Sequence, residues 1–176
     1  MPDPEDSARA YEGRFVRVDR ESWGSSTWEV VRRQGPAAQG AVAVVALTPA
    51  DRVILVRVFR PPIRTALLEI PAGLLDREDE DALSCARREL REETGYRASK
   101  IEFLGGWYSS AGMTDEYVQA FLARTDEEPE GPTDGEVEEV VTLAFEEAVA
   151  RARAGRVRDA KTALSLLLAA ERRSRP

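Results

Sequence analysis

The hydrophobic and polar positions follow two rhythms. Residues 41–47, 53–59, 101–108 and 117–123 are dense in apolar and β-branched side chains and are bounded by turn formers, which predicts strands. Residues 48–52 read as a turn between the first two. Pro61-Pro62 closes the second, because proline gives a ladder no donor. Residues 14–18 and 27–33 are two further candidate strands, with Gly24-Ser25-Ser26 as the turn between them. Short strands are expected over 67–70, ahead of Pro71-Ala72-Gly73, and over 137–143, after a loop over 129–135. The rhythm becomes helical over 81–94: Leu83, Ala86, Leu90 and Thr94 form one stripe, and Gly95 is a natural stop. Two more helices are expected over 145–154 and 159–172, separated by Gly155. Strands and helices mix without regular alternation, which predicts an α+β or mixed-sheet fold rather than a doubly wound one. Residues 1–10 are polar and acidic and read as a disordered tail.

The chain has 176 residues, the size of one domain. It contains no histidine and one cysteine, Cys85. This excludes a histidine-based triad, a histidine-ligated zinc or iron site, a paired-cysteine motif and an internal disulfide. Catalysis here has to run on carboxylates, hydroxyls, Arg and Lys, backbone groups or a bound ion. A net charge of −7 disfavours non-specific nucleic-acid binding. No apolar run approaches the ~20 residues that span a bilayer, and the first residues lack the pattern of a signal peptide. A soluble, cytoplasmic protein is expected.

The charge is concentrated. Residues 73–96 hold eight acids and four arginines, and residues 125–150 hold ten acids and no base. Such runs are usually solvated faces, but the first has a pattern. At ~100° per residue, Glu89 and Glu93 lie about 40° apart on one helix face, flanking the apolar stripe, with Glu92 beside them. Like charges at this spacing repel, and acids near a helix C-terminus oppose its dipole. One reading is a surface helix with pairs such as Arg88–Glu92. The other is that a cation offsets the repulsion. Carboxylate oxygens without imidazole or thiolate select hard ions, hence Mg²⁺ or Mn²⁺.

Residues 73–96 resemble the signature of the Nudix hydrolases, G-x5-E-x7-R-E-U-x-E-E-x-G-U, where U is bulky and apolar. Every fixed position from Arg88 to Gly95 matches, and Leu90 and Tyr96 fill the apolar slots. Counting back from Arg88 gives Glu80 as the first glutamate, with six residues rather than five between it and Gly73. Reading five puts Asp79 there instead; a one-residue insertion in the loop is preferred. Flanking segments resemble the ADP-ribose and ADP-sugar pyrophosphatase branch: Phe59-Arg60-Pro61-Pro62, Glu69-Ile70-Pro71-Ala72-Gly73, residues 109–116 (with Ala111 where that branch usually has proline), Asp134-Gly135-Glu136, and Asp159-Ala160-Lys161-Thr162.

The resemblance implies a mixed β-sheet sandwiched between helices over 41–176, preceded by an N-terminal antiparallel strand region over 11–40. It implies Mg²⁺ (Mn²⁺ also suits) held by the Ala72 carbonyl, Glu89 and Glu93, with Glu92 assisting. Arg60 and Arg33 are expected to contact the pyrophosphate. Trp28 matches an adenine-stacking aromatic, and Phe15 is its candidate partner, with ordinary strand packing as the alternative for both. Glu69 and Gly73 join the substrate-binding set. A loop glutamate, Glu136, is expected to act as general base, with Asp134 and Glu138 near enough to compete. The implied partner is a small nucleoside diphosphate sugar, hydrolysed to AMP and ribose 5-phosphate when it is ADP-ribose. Neither nucleic acid nor membrane is expected as a partner. Members of this branch are generally homodimers whose N-terminal strands help form the adenine site. Another Nudix substrate, or a non-catalytic ADP-ribose sensor, are the alternatives.

Overall fold

The structure is a computed structural model in which residues 3–126, 129 and 137–174 are described. Its centre is β4 (Ala41–Leu47), whose sequence AVAVVAL leaves almost nothing to show to water. Side chains on a strand alternate between faces. Val42, Val44 and Ala46 therefore enter one core, with Cys85, Ala86 and Leu90 of helix α1 (Ala82–Thr94). Ala43, Val45 and Leu47 enter a second core, with Phe145, Ala148 and Val149 of α2 (Phe145–Arg153) and Leu166 and Ala169 of α3 (Ala160–Ser174). One strand thus joins two hydrophobic layers, and the expected sandwich of a mixed sheet between helices is what forms.

Among the described residues the sheet has seven strands. β4 runs parallel to β9 (Tyr117–Thr125) and antiparallel to β5 (Arg52–Arg60) and β7 (Ala72–Leu74). β8 (Ala98–Tyr108) lies outside β9, β10 (Glu139–Ala144) pairs with β5, and β6 (Thr65–Glu69) pairs with the far end of β5. β7 falls where Pro71-Ala72-Gly73 reads as a break. It pairs over only three residues, too short a run to leave a periodic signal.

β1 (Asp6–Glu12), β2 (Val16–Trp23) and β3 (Ser26–Arg33) form a separate antiparallel sheet. The turn between β2 and β3 is where the sequence places it, with Gly24 at φ 59°. The tail expected over 1–10 is corrected here, because residues 6–10 belong to β1. Every side chain of β1 is exposed, so the strand carries no hydrophobic alternation. Backbone pairing to β2 holds it, together with Arg9, whose Nε donates to Asp19 at 2.6 Å. Asp19 and Glu21 are buried acids, and Arg32 reaches both, at 3.3 and 2.8 Å. The Arg9 guanidinium, outweighing the cost of burial, holds the Asp19 carboxyl below its ordinary range. β3 is moored to the loop after β8 by a Val31 N–H donating to the Met113 carbonyl at 2.8 Å.

Candidate active site

Helix α1 begins where its sequence says it should. The Asp81 side chain accepts from the Ser84 N–H at 2.8 Å, and Gly95 ends the helix at φ 76° with its N–H on the Arg91 carbonyl. The buried face is Cys85, Ala86, Glu89, Leu90, Glu93 and Thr94; Leu83, expected on it, stays exposed in the first turn. Glu89 and Glu93 are buried as their helical positions predict. The Cys85 thiol beside them is pushed up to about 12, chiefly by burial, and is inert at neutral pH.

The β6–β7 segment runs across this acidic face. The Ala72 N–H donates to Glu93 Oε2 at 3.0 Å. At Gly73 the approach is closer still: a Cβ there would lie 2.0 Å from Glu89 Cδ, so any larger residue would push the Glu89 carboxylate from this position. Burial pushes the Glu89 carboxyl up, although Arg88 opposes the shift. Arg88 is the countercharge of Glu80, Glu89 and Glu92, the last also paired with Arg77 at 2.8 Å. It grips Glu80 with two bonds of 2.8 Å, and its Nη1 donates to Glu89 at 2.5 Å and Glu92 at 3.0 Å. Glu80, not Asp79, is therefore the glutamate that pairs with Arg88. Asp79 takes a left-handed φ of 59° in the turn before Glu80.

These groups open onto a cavity of about 630 Å³ whose opposite wall is basic. Arg60, Arg33 and Lys161 line it. Arg60 lies behind a bidentate bond to Glu69 (2.8 and 2.7 Å), and Arg33 Nε donates to Glu116 at 2.5 Å. The cavity therefore pairs a carboxylate wall with a guanidinium wall, a geometry suited to a phosphate group bridged to a cation.

The acidic wall fits a hard divalent ion. The groups it offers are all oxygen: the Glu89, Glu92 and Glu93 carboxylates, which lie within one turn or so of α1, with Ala72 of β7 beside them. The desolvation of the Glu89 carboxylate is a cost that a cation beside it would offset. Among the described residues no three acidic or cysteine side chains are drawn together as a ready-made ion site.

A NUDIX domain model matches residues 37–165. The chain belongs to the Nudix family. An ADP-ribose pyrophosphatase of Bacillus subtilis (strain 168) is 40% identical over 130 residues, 72% of this chain and 70% of that protein. A GDP-mannose pyrophosphatase of Cronobacter sakazakii is 32% identical over 160 residues, 80% of this chain and 83% of its own. In fold, the chain is similar to the crystal structure of an ADP compounds hydrolase, with a TM-score of 0.75 over 97% of this chain and 94% of that one, at 20% identity.

Within this Nudix fold, the structure brings together Arg33, Arg60, Ala72, Gly73, Glu89, Glu92 and Glu93 around one cavity. Three other expected residues stand elsewhere. Glu69, expected in the substrate-binding set, has both oxygens taken by Arg60 and Lys161, is only 1% exposed and stands behind Arg60 rather than on the cavity wall. Trp28 lines a different groove, with Trp23, Val30, Arg32 and Met113. The reason is strand alternation: Trp28, Val30 and Arg32 share one face of β3, and Arg33 points from the other. Phe15 is 67% exposed with Arg14 over its ring, and five residues of paired strand separate its end of the β2–β3 ribbon from Trp28. The two aromatics do not clamp a base within one chain. Glu136 and Asp134, and nearly all of the loop expected over 129–135, lie outside the described residues. Glu138 is exposed next to β10, its N–H donating to the Arg57 carbonyl.

Three cavity residues escaped the sequence-based assignment of roles. Lys161 and Glu116 each sit in a segment that carries the branch resemblance, and Arg88 is fixed in the box. The missing information is the pairing: Glu116 is 83 residues from Arg33, and Lys161 is 92 from Glu69.

No helix among the described residues is long and apolar enough to cross a membrane.

Proposed function

We propose that this Nudix chain is a Mg²⁺-dependent pyrophosphohydrolase that converts ADP-ribose and related ADP-sugars to AMP and the sugar phosphate. The observation that carries this reading is the facing of Glu89 and Glu93, pressed against Ala72 and Gly73, by Arg60 and Arg33 across one cavity. The similarity to an ADP-ribose pyrophosphatase at 40% identity supports the choice of substrate. Glu89, Glu93 and the Ala72 carbonyl would hold the cation, with Glu92 assisting. When bound, the ion supplies an acidified water and neutralises charge on the phosphoryl oxygens. Arg60 and Arg33 orient the diphosphate by paired N–H bonds to its oxygens. Glu136 takes the proton of the attacking water. Water oxygen bonds to one phosphorus, and the bridging oxygen leaves with the other phosphate.

Phe15 and Trp28, apart in one chain, are consistent with an adenine site completed by a second copy, so the working form is a homodimer. A GDP-sugar is the second reading, favoured by the similarity to GDP-mannose pyrophosphatases. Product analysis over ADP-ribose, GDP-mannose, a dinucleoside polyphosphate and a dNTP, with Mg²⁺ and with EDTA, decides between them. AMP and ribose 5-phosphate, formed fastest from ADP-ribose and only with the metal, is the expected result. Faster GDP-mannose cleavage favours the second reading. Tight ADP-ribose binding without turnover makes the protein a sensor.

A further inference from the structure

The N-terminus of α3 does more than close the fold. Lys161 Nζ donates to Glu69 Oε2 and to Asp159 Oδ1, the latter at 3.1 Å. Asp159 Oδ2 in turn accepts from the Thr162 N–H at 2.9 Å and from its hydroxyl at 2.5 Å, and the Ile70 N–H donates to Thr162 Oγ1 at 2.9 Å. Glu69 and Thr162 are each 1% exposed. The result is a clamp from α3 onto the two residues, Glu69 and Ile70, that immediately precede the Pro71-Ala72-Gly73 crossing of the acidic face. Its last link is Arg60, held at Nε and Nη2 by Glu69, with its side chain still 43% exposed where it lines the cavity.

Charge decides which way Arg60 faces. The cluster contains two anions, Glu69 and Asp159, and two cations, Arg60 and Lys161. Lys161 bonds to both anions. Were it neutral, Arg60 alone would face two buried or half-buried carboxylates and be drawn inward, away from the cavity.

Building on the proposed hydrolase function, we propose that Lys161 is a positioning residue: through Glu69, and by neutralising Asp159, it keeps the Arg60 guanidinium turned toward the diphosphate. It does not itself bind substrate in this account. Arg60 is the group that touches phosphate, and Lys161 acts only through it.

The test combines a substrate-free spectrum with a double-mutant cycle on the full chain. The Arg60 Nε–H, bonded to Glu69 at 2.8 Å, should give a resolved, slowly exchanging NMR signal. Lys161→Met is expected to shift and broaden it while the rest of the fold's amide spectrum is retained. With ADP-ribose, Lys161→Met should lower kcat/KM by about ten- to a hundredfold. In an Arg60→Lys background the same change should cost much less, because both act at one point. An unaltered Arg60 signal in Lys161→Met overturns the proposal. So do losses that multiply in the double variant, which would make Lys161 an independent contact. If the wild-type chain does not cleave ADP-ribose, the function reading fails; the Arg60 signal, which needs no substrate, still decides the role of Lys161.

Discussion

At the residue scale, the site is built from acids whose company differs. Glu89 is buried against glycine with its charge pushed toward neutrality by desolvation, whereas Glu69, more deeply buried, stays ionised. Burial alone would raise Glu69 too, but Arg60 and Lys161 outweigh it and hold its carboxyl below the ordinary value of 4.5. A carboxyl depressed in the folded state stabilises the protein above its ordinary range, and the stabilisation is lost as pH falls through the depressed value. Glu69→Gln should therefore cost roughly 3 kcal/mol at pH 7, because it leaves two cations around a neutral group. Urea unfolding from pH 7 down to about pH 2 should show the gap between wild type and variant closing in acid. A gap that stays constant with pH would mean that the ionised carboxylate is not what holds this corner. Glu69 also shows where sequence reading stops at this scale. Its place beside Pro71-Ala72-Gly73 marks it as part of the site, but its role depends on a lysine that folding brings from 92 residues away.

The elements were legible in proportion to their hydrophobic pattern. β4, β5 and α1 announce themselves through apolar runs, a helical stripe and a Gly95 stop, and α1 carries the three glutamates of the cavity. β7 and β1 were not legible. β7 is three residues long, and β1 buries no side chain. The N-terminal sheet contributes nothing to either hydrophobic core; its interior is Asp19 and Glu21 among arginines. It should accordingly be the least stable element. Asp19→Asn removes the negative charge shared by Arg9, Arg17 and Arg32. Hydrogen exchange over residues 6–33 is expected to accelerate in that variant, while amides of β4 and β9 keep wild-type protection. Uniform acceleration throughout would show that the sheet is not a separate cooperative unit.

At the scale of the whole molecule, two cavities lie on opposite faces of β3. One holds the carboxylates and arginines, the other the tryptophans. A nucleotide that used both in a single chain would have to cross the strand, so the proposed adenine site needs a second copy. Sedimentation should give a particle of twice the 19.5 kDa chain mass, and a monomer that is fully active on ADP-ribose would refute the shared site. Dimer geometry leaves little trace in one sequence, because it depends on which exposed faces meet. The −7 charge of the chain is easier to account for. Its first acidic run joins the loop over 76–81 to the helix that faces the cavity, and its second includes Glu136, the proposed base.

The central claim is that the α1 carboxylates hold the ion on which hydrolysis depends, and Glu93→Gln tests it most directly. The substitution keeps the shape of the side chain and an acceptor for the Ala72 N–H, but removes the charge. Turnover of ADP-ribose under saturating Mg²⁺ should fall by about a hundredfold or more, with an unchanged melting profile. Near wild-type turnover in that variant would contradict the account.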